Sequence, residues 1–288
     1  MRIARTIAEV RAQVAAARAD GRRVGLVPTM GAFHAGHEAL MRTARERCDE
    51  VVVSLFVNPA QFDEAADLAA YPRSEASDAA VAEGLGVDVL FVPSAEEMYP
   101  DGFATTVSVG RLAAVLEGAS RGPAHFAGVC TVVCKLFTIV APDVAFFGQK
   151  DAQQVTVVKR MVRDLDLPVT VAVVPTVRDA DGLALSSRNA RLGPADRERA
   201  LSLSRGLEAA RALAAAGERD PAILRAAAAE ALGAAGVEPD YLAFVDPDTL
   251  HPVERVDRRV LVAVAARVGP ARLIDNILID PAEVATPA

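Results

Sequence analysis

The hydrophobic positions follow two rhythms over roughly the first 175 residues. Short, nearly unbroken apolar runs at 24–27, 51–57, 87–93 and 169–174, together with DVAFFG at 143–148, are rich in Val, Leu and Phe and predict buried strands. Between them apolar residues recur at three- and four-residue intervals, predicting helices over about 3–19, 36–48, 74–86, 125–140 and 151–164. Punctuation agrees with this division. Asp20-Gly21 supplies a stop for the first helix, Ser74 an N-cap for the third, and Gly84 and Gly86 its close. The segment 94–124 is less regular, with a short strand candidate, TTVSV, and a glycine-rich stretch, EGASRGPAHFAG. Strands alternating with helices predict a doubly wound parallel sheet, an α/β domain over 1–175.

The texture then changes. A polar, turn-rich segment leads into an alanine-rich helical region reaching about 235, split near Gly217 to Pro221. YLAFVD, VLVAVAARV and ARLIDNILI follow as three strands without intervening helices, which predicts a smaller α+β domain over 176–288.

Composition narrows the classes of function. The 288 residues carry a net charge of −7, no Trp and 5 % aromatics, which argues against a nucleic-acid partner that would demand a basic face or stacking platforms. No apolar run reaches the roughly 18 residues of a membrane span, and the N-terminus is amphipathic without a signal-peptide core, so a cytoplasmic protein with no membrane partner is expected. Three cysteines form no spaced metal or disulfide framework; Cys130 and Cys134, four apart on an apolar helix, read as core. No metal-ligand set is assigned. Of 31 basic residues only Lys135, Lys150 and Lys159 are lysines. Lys135 and Lys159 lie in helical patterns, whereas Lys150 falls in FFGQKD, between a strand and a helix.

Candidate chemistry collects where strands run into helices. In VGLVPTMGAFHAGHEAL a strand leads through Pro28, Thr29 and Gly31 to His34, Gly36 and His37 at the start of a helix. Such a turn aims unpaired N–H groups and the positive end of a helix at an anion, and two imidazoles add donors for charge developing on a phosphoryl group. The pair reads equally as satisfied surface or core imidazoles. Leu185-Ser186-Ser187-Arg188 lies in a polar loop whose Ser and Arg suit phosphate oxygens; a plain helix-capping segment is the alternative. NPAQFDEAADLAAYPRS follows a strand's carboxyl end, where open α/β sheets bind ligands.

Taken together, PTMGAFHAGHEAL, SLFVNPAQF, YPRS, FFGQKDAQQ, PTVRDADGLALSSRN and PARLIDN resemble the HIGH-type nucleotidyltransferase superfamily and, within it, the pantothenate synthetase (pantoate:beta-alanine ligase) family, in the family's order over nearly the whole chain. The resemblance implies a Rossmann-like first domain that binds nucleotide and pantoate. It also implies ATP-dependent condensation of pantoate with beta-alanine through pantoyl adenylate, giving pantothenate, AMP and pyrophosphate. His34, His37, Lys150 and Arg188 would be catalytic. Met30, Gly31, His34, Gly36, His37, Gly148, Gln149, Lys150, Asp151, Val177, Leu185, Ser186, Ser187 and Arg188 would bind ATP, with the Val177 backbone at adenine. Gln61 and Gln154 would hold pantoate, amides being able to donate to its oxygens while uncharged. Asn58 would support Gln61 or simply shape the turn before Pro59. Mg²⁺ is expected with ATP, and a homodimer is carried over from the family.

Departures are few. Leu185 stands where methionine is more usual, Phe33 and Ala35 vary the residues between the ATP-binding groups, and the spacing around RGPAHF is one residue longer than the family form, leaving the roles of Arg121 and His125 open. A related nucleotidyltransferase acting on a phosphorylated small molecule would share the HxGH turn without requiring both glutamine motifs. A non-catalytic descendant would have lost His37 or Lys150.

Overall fold

The five apolar runs become strands of a six-stranded parallel sheet in the computed structural model, which describes residues 1–62, 68, 69 and 71–284. In chain order the first elements are β1 (Arg2–Ala4), α1 (Ile7–Ala19), β2 (Val24–Thr29), α2 (Ala35–Arg47) and β3 (Glu50–Leu55). They are followed by α3 (Glu75–Gly84), β4 (Val89–Phe91), α4 (Ala95–Met98), α5 (Glu117–Arg121) and α6 (Pro123–Val140). Next come β5 (Val144–Gly148), α7 (Ala152–Asp164) and β6 (Thr170–Val174). The strand order is β1-β4-β3-β2-β5-β6, every pair parallel. The order reverses between β2 and β5, and in open α/β sheets ligands bind at the carboxyl ends of the strands beside such a reversal.

Two expectations are corrected. The first helix does not begin near residue 3: Arg2–Ala4 pairs with β4 as an edge strand, and Thr6 starts α1 in a capping box with Glu9. No strand forms at 105–109: the Val107 N–H donates to Thr131 Oγ1 of α6 at 3.0 Å, so the segment is tied to a helix side chain and not to the sheet. Part of the loop after β3, residues 63–67 and 70, lies outside the described residues.

The core of this sheet is close-packed. Val27, Val51, Val53, Leu90 and Phe146 lie with Met41 and Ala44 of α2 in one cluster of fully buried side chains. A Cβ on Gly25 of β2 would come within 2.9 Å of Cys48 Sγ, so only glycine lets the end of α2 approach the strand this closely.

The chain divides into two compact units, Met1–Gln149 with Gln153–Pro175, and Lys150–Ala152 with Thr176–Ala288. The second unit contains α8 (Pro194–Ala215), α9 (Pro221–Ala234), β7 (Pro239–Val245), β8 (Val260–Val268), β9 (Ala271–Ile279) and α10 (Pro281–Val284). Its three strands form an antiparallel sheet in the order β7-β8-β9. Leu203 and Leu207 of α8, Leu224 and Leu232 of α9, and Phe244, Val262 and Val264 of the sheet make its core. Burying each large side chain contributes about 1.5–3 kcal/mol. Gly206 lets α8 and α9 approach, since a Cβ there would lie 2.8 Å from the Ala228 carbonyl oxygen.

At the start of β3 the fully buried Glu50 carboxylate is held by Arg22 Nη1 at 2.6 Å and Gln13 Nε2 at 3.1 Å. Removing the cation strands a buried charge. Arg22→Ala should therefore cost about 2 kcal/mol, less than for a fully enclosed pair because Arg22 is 33 % exposed. Urea titration reads this as a lower unfolding midpoint; an unchanged midpoint would show that Gln13 and water suffice.

Candidate functional site

The turn after β2 is built from three constraints. Thr29 closes the strand with its hydroxyl donating to the Ser54 carbonyl of β3 at 2.6 Å. The backbone then passes through positive φ at Gly31 (+89°) and Ala32 (+53°), the second unfavourable for a residue with a side chain. Asp78 of α3, 3 % exposed, holds that conformation by accepting the N–H groups of Ala32 at 2.9 Å and Phe33 at 2.8 Å. Its Oδ2 would sit 3.0 Å from any Cβ on Gly31.

His34 is the N-cap of α2, with extended backbone (φ −140°), and its Nδ1 accepts the Gly36 N–H at 3.1 Å. His37 returns the favour more weakly, its Nδ1 accepting the His34 N–H at 3.4 Å. The rings lie 4.2 Å apart between centroids, tilted by 45°. A nitrogen that accepts a backbone N–H is unprotonated, so each ring carries its proton on Nε2 as a donor. Two imidazole donors thus stand at the positive end of a helix. The glycine at 36 makes room for the His34 ring in this position: a Cβ there would meet His34 Cε1 at 2.8 Å and Nδ1 at 3.0 Å.

At the carboxyl end of β3 the polar groups centre on Asn58, 1 % exposed. Its Oδ1 accepts the Tyr99 hydroxyl at 2.7 Å and the Ala60 N–H at 3.3 Å; its Nδ2 donates to Gln61 Oε1 at 3.0 Å and to the Gly128 carbonyl at 3.2 Å. All four bonds an asparagine can make are used, which fixes the amide's orientation. Asn58 therefore both caps the turn Pro59–Gln61 and holds Gln61. With Oε1 engaged, Gln61 offers a donor edge, the polarity a carboxylate requires. Burial pushes the Tyr99 phenol up to about 12, keeping it protonated as the donor Asn58 needs. The turn lies directly on α6, where a Cβ at Gly128 would fall 2.1 Å from the Ala60 carbonyl oxygen.

His125 is brought to the same place, its Nδ1 2.8 Å from the Gln61 carbonyl oxygen, while Arg121 pairs with Glu117 at 3.2 Å. Gln154 is half-buried in the first turn of α7. Its neighbour Gln153, 6 % exposed, supports the glycine-rich segment: its Oε1 accepts the Glu117 N–H at 2.9 Å and its Nε2 donates to the Leu112 and Val115 carbonyls at 2.8 and 2.6 Å. Leu116, with φ +50°, is the strained residue these bonds enclose.

Gly148 ends β5, and Gln149–Asp151 form a 3-10 turn with Lys150 Nζ 3.6 Å from Asp151 Oδ1. Lys150 and Asp151 belong to the second unit, as do Val177 and residues 185–188. There 177–185 fold back on themselves: Leu185 N–H donates to the Val177 carbonyl at 3.0 Å, and Arg178 bridges to Ala184. Burial opposes the charge of Arg178, and its hydrogen bonds and attraction to Asp275 outweigh that, leaving its pKa above the ordinary value. Ser186 caps the turn Ser187–Arg191 with its Oγ accepting the Arg188 N–H at 3.2 Å. Leu185, Ser186, Ser187 and Arg188 are all half-buried.

His34 and His37 are thus brought together, as are Asn58, Gln61 and His125. Sequence reasoning missed the supporting groups Asp78, Tyr99 and Gln153. The one visible signal is a polar residue at an inward position, as Asp78 shares the buried face of α3 with Ala82.

Gly36→Ala should leave the fold standing and displace the His34 ring, lowering turnover by about 10²-fold. Steady-state rates together with circular dichroism check this. Full activity would show that the ring can move without consequence.

The residues 2–278 match the family model described as Pantoate-beta-alanine ligase. A pantothenate synthetase of Heliobacterium modesticaldum is 54 % identical over 281 residues, 97 % of this chain and 100 % of that protein. The crystal structure of pantothenate synthetase from Thermus thermophilus superposes with a TM-score of 0.90 at 50 % identity, over 96 % of this chain and 99 % of that one. That of pantoate-beta-alanine ligase from Francisella tularensis, complexed with beta-gamma ATP and beta-alanine, gives 0.79 at 35 % identity, over 96 % and 97 %. With the family model matching residues 2–278 and these relatives covering 96–97 % of its length, the chain belongs to the pantoate-beta-alanine ligase family.

Proposed function

We propose that the protein condenses pantoate with beta-alanine at the expense of ATP, through pantoyl adenylate. The observation that carries this is the family match over 2–278 with the imidazole-bearing turn intact. A pantoate carboxylate oxygen attacks the α-phosphorus of ATP, and the bond to pyrophosphate breaks. The amine of beta-alanine then attacks the acyl carbon, the bond to AMP breaks, and the amine gives up its proton as the amide forms.

Charge builds on the phosphorus centre and on the departing pyrophosphate in the first step, so placed donors do most of the work. The Nε2–H groups of His34 and His37 supply two, beside Met30, Gly31 and Gly36. Gly148, Gln149, Lys150 and Asp151 form a second ATP-binding stretch, in which the Lys150 ammonium neutralises phosphate charge. Ser186, Ser187 and the Arg188 fork take further phosphate oxygens, with Leu185 as their apolar lead-in. The Val177 carbonyl already accepts one N–H and has a second lone pair for adenine. Gln61, its Oε1 occupied by Asn58, and Gln154 donate to the oxygens of pantoate. An uncharged amide site suits a carboxylate nucleophile better than a phosphorylated acceptor, which would call for cations.

Among the described residues no group of three or more His, Cys, Asp or Glu is placed to hold a metal ion. Mg²⁺ belongs in this reading to the ATP substrate, held through the phosphates, as is usual for this cation. A homodimer and a cytoplasmic setting complete the proposal. No helix among the described residues is long and apolar enough to cross a membrane.

Purified protein should catalyse pantoate-dependent exchange of labelled pyrophosphate into ATP without beta-alanine, and release AMP in quantity only when the amine is added. Exchange that ignores pantoate would sink the substrate assignment. Lys150→Ala and His37→Ala should each lower the adenylation rate by about 10²-fold or more while pantoate affinity changes by less than about threefold. Equal losses in rate and affinity would reassign these residues to ground-state binding.

A further inference from the structure

β9 carries two adjacent buried polar side chains, Asp275 (3 % exposed) and Asn276 (4 % exposed), in an otherwise largely apolar strand. Neighbours on a strand project to opposite faces, so one cannot substitute for the other. A carboxylate and an amide cost free energy to bury, and an apolar pair would suit the strand better, unless their bonds secure something else.

Each is spent on a different loop of the same unit. Asn276 Nδ2 donates to the Lys150 carbonyl at 2.9 Å, across 126 positions of sequence. Asp275 takes the fork of Arg178 with both oxygens, Nη1 to Oδ2 at 2.6 Å and Nη2 to Oδ1 at 2.9 Å. Arg178 Nη1 also donates to the Gly182 carbonyl at 3.1 Å, tying the far end of the 177–185 fold. That fold runs directly into Ser186, Ser187 and Arg188.

We propose that Asn276 and Asp275 are positioning residues for adenylation: Asn276 sets the Lys150 turn, and Asp275, through Arg178, sets the loop that presents residues 186–188. Neither touches substrate. The inference rests on the assignment of Lys150 and 186–188 to the phosphates of ATP. It gives PARLIDN a chemical reason, because one strand then fixes the spacing between the lysine and the serine-arginine loop.

The test uses the full chain and its complement of only three lysines, Lys135, Lys150 and Lys159. Limited acetylation, read at each lysine by mass spectrometry with and without Mg·ATP, is compared in wild type, Asn276→Asp and Arg178→Lys. Asn276→Asp keeps the shape and removes the donor to Lys150; Arg178→Lys keeps the charge and removes the fork. ATP should slow acetylation of wild-type Lys150 at least about fivefold relative to Lys135 and Lys159. In Asn276→Asp that protection should drop below about twofold. Both variants should lose about tenfold or more in adenylation kcat, with KM for pantoate within about twofold. A wild-type Lys150 that ATP does not protect would refute the underlying assignment. Protection in Asn276→Asp together with undiminished adenylation kcat in both variants would overturn the positioning role. Circular dichroism and thermal melting of each variant report an intact fold; should Asn276→Asp unfold, Arg178→Lys decides by itself, retained kcat overturning the proposal.

Discussion

The turn after β2 passes through left-handed backbone at Gly31 and Ala32, and one buried carboxylate keeps it there. Asp78 accepts two successive N–H groups, those of Ala32 and Phe33, just beyond the carboxyl end of the central strand β2. A residue with a side chain at positive φ costs on the order of 1 kcal/mol. The two N–H bonds to a charged acceptor offset that cost. The next residues inherit the resulting direction of the chain: His34 enters α2 as an extended N-cap, its ring turns back over Gly36, and His37 turns back over the His34 N–H.

The same economy governs the other polar groups near the carboxyl end of the sheet. Asn58 and Gln153 are buried side-chain amides with several bonds each, and each holds a segment of short turns and helix ends. Fully satisfied amides suit this work because they fix direction without adding charge. In the second unit an ion pair takes the corresponding place, Asp275 gripping Arg178 in two parallel bonds whose geometry a lysine could not reproduce.

Away from these segments the polar side chains have plainer duties. Cys130 is buried in α6, and burial raises its thiol to about 12, which keeps it an inert core group. Lys135 lies over the rings of Tyr99 and Phe103, 4.8 Å from the second centroid, a cation–π contact that covers the phenol serving Asn58. Arg197 bridges Asp179 and Asp181 at 2.7 and 2.8 Å, stiffening from outside the fold that Arg178 ties from within.

The sequence by itself determined the alternation of strand and helix, the parallel sheet, the three closing strands of an α+β region and the HxGH turn, because apolar periodicity and turn residues are local and act within a few positions of one another. It misjudged the N-terminus and the TTVSV segment for the complementary reason: whether a short apolar run becomes a strand depends on which partner the fold brings beside it, β4 for Arg2–Ala4 and the Thr131 hydroxyl of α6 for Val107. Only the tertiary structure decided that Asp78 holds the turn before His34, that Tyr99 orients the asparagine behind Gln61, and that Asn276 holds Lys150. Each of these bonds joins residues 41 to 126 positions apart. A hydrogen bond reaches about 3 Å and leaves no periodic trace in the chain, so its partners become visible only once the packing of helices on sheet has brought them together.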